Sequence, residues 1–286
     1  MAAPADIRPS PIAGQWYPDD PSRLAESIDR YIGDARVPEN LGEVVAVIAP
    51  HAGHLYSGPV AGHAFAAVRN LPIDLVAVLS PMHYGYHEPL LTSGHSAYAT
   101  PLGVIPIDDE ALLALDERLH GRLGFGLTPI RRDPEHSLEI ELPFLQQALK
   151  GQDFHLLPVM LRDQNSRTAQ GLGQALAEVM QNRRCLLVAS SDLSHFYPQR
   201  MAEILDKEML QQVENFDPKG VMRVEEEGKG YACGRAAVAA VLWAARGLGA
   251  NQVKVLNYAT SGDVSGDYQR VVGYGAAVVS RKNIDG

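Results

Sequence analysis

A chain of 286 residues with 46% hydrophobic and 21% charged side chains has the make-up of a soluble globular protein. Its net charge of −9 at pH 7 argues against a nucleic-acid partner, no apolar run reaches membrane-spanning length, and two cysteines give no disulfide framework. With no leader pattern at the N-terminus, a reducing cytoplasm is the expected compartment.

Residues 1–20 carry Arg8, Pro9, Pro11, Gly14, Trp16, Tyr17 and Pro18 and read as an extended arm, with Trp16 and Tyr17 anchoring it to the body. Asp20 or Ser22 then caps a helix with Leu24, Ile28, Tyr31 and Ile32 on one face. Residues 44–49 form an apolar, β-branched run that predicts a buried strand. The run stops at Pro50 and delivers His51 and His54 into a Gly-rich turn, and Pro59 is expected to open the next helix over 60–68. A second such strand, 75–79, is followed by Ser80-Pro81-Met82-His83.

Ser93-Gly94 predicts a hairpin turn, with His87 and His95 as exposed loop residues. Residues 103–106 form a short extended piece, and Asp108 fits an N-cap for the helix bearing Leu112, Leu113 and Leu115. Glu135-His136-Ser137 precedes a helix starting near Ser137; His136 stands just before its positive end, either as a site residue or as an ordinary capping-region histidine. Residues 155–161 predict a strand whose Pro158 marks an edge or a bulge.

Leu172, Leu176, Val179 and Met180 mark the helix before a third buried strand, 185–189, which releases Ser190-Ser191-Asp192-Leu193-Ser194-His195. Residues 199–227 read as a helix with a charged continuation, in which 225–227 form a solvated face. Cys233 stands at the start of an Ala-rich helix over 236–245, where unpaired N–H groups and the helix dipole favour a thiolate, or where a small residue simply fits a tight helix start. Cys185, inside a strand, is expected to be an inert core residue. A strand at 253–259, a Gly/Asp loop at 260–267 forming either a wall or lid by the site or a plain surface connection, and a strand at 271–279 complete the reading. The expectation is one α/β domain over 1–286, with a mostly parallel central sheet flanked by helices.

Three apolar strands each release a histidine just past their ends, so one sheet would gather His51, His83 and His195 on a single rim, where open α/β sheets bind ligands. No Gly-x-Ser-x-Gly elbow, P-loop or dinucleotide fingerprint occurs. What remains is His51, His83, Asp192, His195 and Cys233. Imidazole, carboxylate and thiolate are ligand types for iron, copper or zinc, and the set points away from magnesium and calcium.

Ala49-Pro50-His51-Ala52-Gly53, Ser80-Pro81-Met82-His83, Ser190-Ser191-Asp192-Leu193-Ser194-His195, Cys233-Gly234-Arg235 and Thr260-Ser261-Gly262-Asp263-Val264-Ser265-Gly266-Asp267 resemble the Memo-like family, also called AmmeMemoRadiSam system protein B. The likeness runs from Ala13-Gly14-Gln15-Trp16-Tyr17-Pro18 to Gly273-Tyr274-Gly275. That family is similar in fold to class III extradiol dioxygenases of the LigB type. The resemblance implies His51, His83 and Cys233 as metal ligands, with Asp192 and His195 beside them. Two departures stand out. Met82 replaces an Asn whose hydrogen bond would support the second histidine, and His54 replaces an aromatic, as a surface change or as an added ligand or proton shuttle.

The expected function is that of a metal-dependent oxidoreductase of dioxygenase-like architecture, Fe(II) the leading metal with Cu or Zn as alternatives, acting on an unidentified small molecule. His195, Asp192 and His136 are its expected catalytic residues, His195 as acid/base oriented by Asp192. A non-catalytic binding or adaptor protein using the same cleft and a metal-dependent hydrolase are the competing readings. The family's name also implies a radical-SAM protein as a partner.

Overall fold

Alternate residues of the second apolar run part to opposite faces: Leu75, Ala77 and Leu79 join one core, Val76 and Val78 the other. That two-sided burial sets the architecture, helices over both faces of a central sheet. It is seen in a computed structural model that describes residues 6–282. The first five residues of the expected arm lie outside the described residues.

The chain runs β1 (Ile7–Arg8), α1 (Pro21–Asp34), β2 (Glu43–Ala49), α2 (His54–Ala66), β3 (Leu75–Pro81), β4 (Leu90–Ser93), β5 (Ala97–Thr100), β6 (Gly103–Pro106), α3 (Asp109–Leu123) and β7 (Thr128–Ile130). A 3-10 turn at Glu139–Glu141 leads into α4 (Leu142–Ala148) and β8 (His155–Leu161). Then come α5 (Ser166–Met180), β9 (Cys185–Ser190), β10 (His195–Tyr197), α6 (Gln199–Glu214) and α7 (Pro218–Glu226). The last elements are α8 (Arg235–Gly247), β11 (Gln252–Thr260), α9 (Gly262–Ser265) and β12 (Val271–Arg281).

The large sheet has the order β10-β12-β2-β9-β3-β8-β4-β7, with β11 on the other side of β12. Its centre, β2-β9-β3-β8, is parallel throughout, as the three strand-then-histidine units require. The sheet as a whole is mixed, because β12 is antiparallel to β2, β10 and β11, and β4 is antiparallel to β8. A second sheet, β1-β5-β6, packs beside it.

One face carries α3, α5, α7 and α8; the other carries α1, α2 and α4. In α1 the buried Leu24, Ile28 and Ile32 form the apolar stripe, each worth about 1.5–3 kcal/mol of burial. Asp20 caps this helix, its carboxylate accepting from the Arg23 N–H at 2.8 Å. The Ala-rich α8 lies so close to α5 that a Cβ on Gly173 would meet the Ala240 carbonyl oxygen at 2.5 Å.

Four local expectations give way to tertiary context. The helix after β2 starts at His54, not beyond Pro59, which sits inside it; its missing N–H leaves only the carbonyl of solvent-facing Leu55 without that bond. Ser93-Gly94 does not close a hairpin: β4 and β5 belong to different sheets, and the Gly94 N–H donates to the Ile130 carbonyl at 2.7 Å. β8 is interior by strand order, yet its ladder to β4 covers only Met160 and Leu161. Pro158 lies outside that ladder, and its carbonyl accepts the Thr92 hydroxyl at 2.7 Å. His95 is not an exposed loop residue, since its side chain is covered and its Nδ1 lies 2.9 Å from the Asp6 carboxylate.

Candidate metal centre

His51 follows β2 and is 2% exposed. Its Nδ1 lies 2.9 Å from Ser190 Oγ at the end of β9, and that hydroxyl donates to the Ser137 carbonyl at 2.6 Å. The serine therefore accepts the Nδ1–H, which fixes the tautomer and leaves the Nε2 lone pair free. Burial, only partly offset by the Asp192 carboxylate, pushes the imidazole down to about 3, so it is neutral near pH 7.

His83 follows β3, and its Nδ1 lies 2.9 Å from Glu135 Oε1 while its N–H donates to Oε2 at 2.6 Å. The same carboxylate accepts the N–H groups of His136 at 3.0 Å and Ser137 at 2.9 Å. Burial opposes ionisation of Glu135, but the His83 ring and these N–H groups outweigh it and hold the carboxyl at about 2. His136 Nδ1 lies 3.3 Å from this oxygen, and the Trp16 ring stacks on the imidazole at 4.1 Å.

The structure brings His51, His83 and His136 together: one ligand atom of each lies within 4.8 Å of the other two. Cys233 stands beside them, its Sγ 3.1 Å from His51 Nε2. Two residues before α8, it is held by its N–H on the Asp192 carbonyl at 3.2 Å. The neighbouring Gly234 cannot carry a side chain, because a Cβ there would meet the Ser190 carbonyl oxygen at 2.5 Å. Contrary to the expectation from the helix terminus, burial and the Asp192 charge push the thiol up. Cys185 is half-buried at the start of β9, and burial pushes it up to about 11.

Asp192 Oδ1 accepts the His51 and Ala52 N–H groups at 2.8 and 3.3 Å. Its Oδ2 lies 4.0 Å from His51 Nε2 and 3.9 Å from His195 Nε2, so one carboxylate faces both imidazoles. Burial pushes this carboxyl up, but the His51 ring, the His195 contact and the His51 N–H bring it below its ordinary value. His195 is one-third exposed, and the Phe196 that follows holds a left-handed φ of 64°, rare and strained for a bulky residue.

Two further expectations change. His54 is buried, not a surface residue, its ring between Tyr17 and Phe144 at centroid distances of 5.2 and 4.7 Å. Glu225 is not part of a solvated face: its Oε2 accepts the Ala232 N–H at 3.0 Å and its Oε1 lies 2.5 Å from Arg235. Met82 is buried in the core below the His83 loop, its N–H on the Leu161 carbonyl at 2.9 Å. The 260–267 loop folds into α9 and, through Tyr268, meets the start of α6 just past the His195 strand.

Sequence reading missed Glu135, which orients the His83 imidazole and holds the His136 backbone, and Ser190, which sets the tautomer of His51. A signal was present for the first, a carboxylate directly before His136 on the loop entering α4; its contact with His83 across 52 residues is tertiary.

A family model described as Memo-like protein matches residues 8–278. A MEMO1 family protein of Nitrosopumilus maritimus is 35% identical over 283 residues, covering 94% of this chain and 98% of that one. Those of Methanopyrus kandleri, 36% identical over 280 residues, and Thermotoga neapolitana, 35% over 285, cover 94% and 96% of this chain and 98% and 100% of their own. A solved structure of an uncharacterized protein from Escherichia coli K12 covers 82% of this chain and 99% of that one, at a TM-score of 0.44 and 12% identity. The match over residues 8–278 and the near-full-length relatives agree: the chain belongs to the Memo-like family.

Proposed function

We propose that this chain is a transition-metal protein, Fe(II) its leading metal, acting as an oxidoreductase of dioxygenase-like architecture on a small molecule. The observation that carries the reading is the group of three imidazoles, His51, His83 and His136, with His51 Nδ1 on Ser190 and His83 Nδ1 on Glu135. Outer hydrogen bonds of this kind orient metal-ligating histidines. The donor set fits iron, copper or zinc and suits neither magnesium nor calcium. His51 is neutral near pH 7, so its lone pair needs no deprotonation before it ligates. Cys233 is within reach as an anionic donor, since its Sγ already touches His51 Nε2.

Bound iron would supply a Lewis acid with one-electron chemistry. The chain's own groups handle protons and access. His195 faces solvent on one side and Asp192 on the other, so it can take a proton from a bound molecule and pass it outward while the carboxylate stabilises its charge.

Anaerobic Fe(II) reconstitution followed by O₂-uptake assays on catechol-like substrates tests the reading. Uptake that needs both metal and substrate is expected. Hydrolysis without O₂ would make the centre a metal hydrolase, and saturable metal binding with neither activity would make it a binding protein. No saturable binding at all would reject the metal centre.

A further inference from the structure

Near the metal centre lies a buried ion cluster that the ligand set does not use. Arg8, on β1, is 2% exposed, and among the described residues its guanidinium hydrogen-bonds to one short segment. Nε and Nη2 fork onto Asp133 Oδ2 and Oδ1 at 3.1 and 2.8 Å. Nη2 also donates to the carbonyls of Asp133 at 3.3 Å and Glu135 at 2.9 Å, and Nη1 to Glu139 Oε2 at 2.5 Å. Glu139 in turn accepts the Tyr17 hydroxyl at 2.7 Å and the Ser10 hydroxyl, so the arm and the segment are tied at both ends.

A cluster of this kind is a poor way to gain stability, because desolvating the charges offsets most of their attraction and apolar side chains of equal volume do as well or better. What a guanidinium fork adds is fixed geometry. The gripped segment needs it: residues 131–138 form no helix or strand, and the chain enters through Arg132 in the left-handed region, φ 57°. On that segment sits Glu135, whose carboxylate orients His83 and holds the backbone of His136.

We propose that Arg8 is a positioning residue of the metal centre: by fixing residues 133–139, it keeps the Glu135 carboxylate on His83 and His136. This rests on the metal reading above, while the contact geometry stands apart from it.

Two variants test it, Arg8→Lys, which keeps a charge and loses the fork, and Asp133→Asn, which removes the carboxylate the fork grips. The metal-free protein is read by amide hydrogen exchange. The amides of His83, His136 and Ser137 are expected to exchange at least about tenfold faster in both variants, with those of β3 and β9 unchanged. Titration with Co(II), followed by its visible absorption bands, is expected to show affinity lowered about 10- to 100-fold and a changed band pattern. Wild-type protection of those three amides in either folded variant would overturn the proposal, as would wild-type Co(II) affinity and bands. If the unsubstituted chain takes up no Co(II), the metal reading fails, and the exchange experiment still decides the role of Arg8. Should Arg8→Lys not fold, Asp133→Asn carries the same readouts.

Discussion

Ser190 Oγ stands 2.9 Å from His51 Nδ1 and gives its only proton to the Ser137 carbonyl, so His51 is held with its Nε2 lone pair towards His83, His136 and Cys233. Ser190→Ala removes the acceptor that selects this tautomer and leaves a buried Nδ1–H unpaired. Metal affinity is expected to fall about 10- to 100-fold with the fold retained. Calorimetric titration with Fe(II) or Zn(II), with circular dichroism alongside, checks this; unchanged affinity would mean that the serine does not control the ligand.

His54 makes acid stability a readout of the buried interior. Its Nε2–H donates to the Ile140 carbonyl at 3.1 Å, its Nδ1 has no partner among the described residues, and burial pushes the imidazole down to about 4. The unfolded chain takes up this proton near 6.5, while the folded chain resists it to about 4. The stabilisation is therefore complete above pH 6.5 and is lost as pH falls through that window, at about 1.4 kcal/mol per pH unit. Between pH 7.5 and 5.0, the wild type should lose about 2 kcal/mol more than His54→Phe, measured by urea unfolding at both values. Equal losses would show that His54 is protonated in the folded state.

How far the chain could be read in advance depends on the range of each signal. The three buried strands and the histidines after them are local patterns, and β2, β3 and β9 are adjacent parallel strands of the sheet centre. The Asp20 and Asp108 caps are local too, each accepting from an N–H three residues on. What could not be read depends on contacts far apart in sequence. His54 looked exposed because Pro59 disguised the helix start, and its burial comes from Tyr17 and Phe144. Ser93-Gly94 carries a genuine turn signal, but the strands it joins find partners in different sheets. Arg8 carried no mark of its role, because Asp133 and Glu139 lie more than a hundred residues away.

Glu141 is fully buried, and neither carboxyl oxygen has a hydrogen-bond partner among the described residues. Burial, helped by the Asp192 charge, holds its carboxyl well above the ordinary range. A group shifted this way contributes most below its ordinary value of 4.5 and weakens the fold as pH rises past it, because the unfolded chain sheds the proton more easily. Glu141→Gln keeps the shape without that penalty. Its stability relative to the wild type should improve as pH rises from about 4.5 to about 7.5. Urea midpoints at the two pH values decide, and a difference independent of pH would show that Glu141 is charged in the folded protein.

The two cysteines provide a paired test of the candidate metal centre. Cys233 Sγ lies 3.1 Å from His51 Nε2, whereas Cys185, at the start of β9, has its Sγ 3.5 Å from the Met180 carbonyl. With no cation present, burial and the nearby Asp192 charge favour the protonated Cys233 thiol, so thiolate ligation must displace a proton. Fe(II) or Cu binding to the wild type should therefore release protons, and apparent affinity should rise with pH. Cys233→Ser replaces a soft anionic donor by a hard neutral one; it should weaken binding at least about tenfold and flatten the pH dependence while the fold is retained. Cys185→Ser should leave affinity unchanged and cost about 1 kcal/mol of stability through its half-buried packing. Calorimetry in two buffers of different ionisation enthalpy counts the protons, and thermal unfolding follows the fold. Wild-type affinity and proton release in folded Cys233→Ser would remove the thiolate from the ligand set and leave the three imidazoles, with the Asp192 carboxylate as the nearest anionic donor to His51.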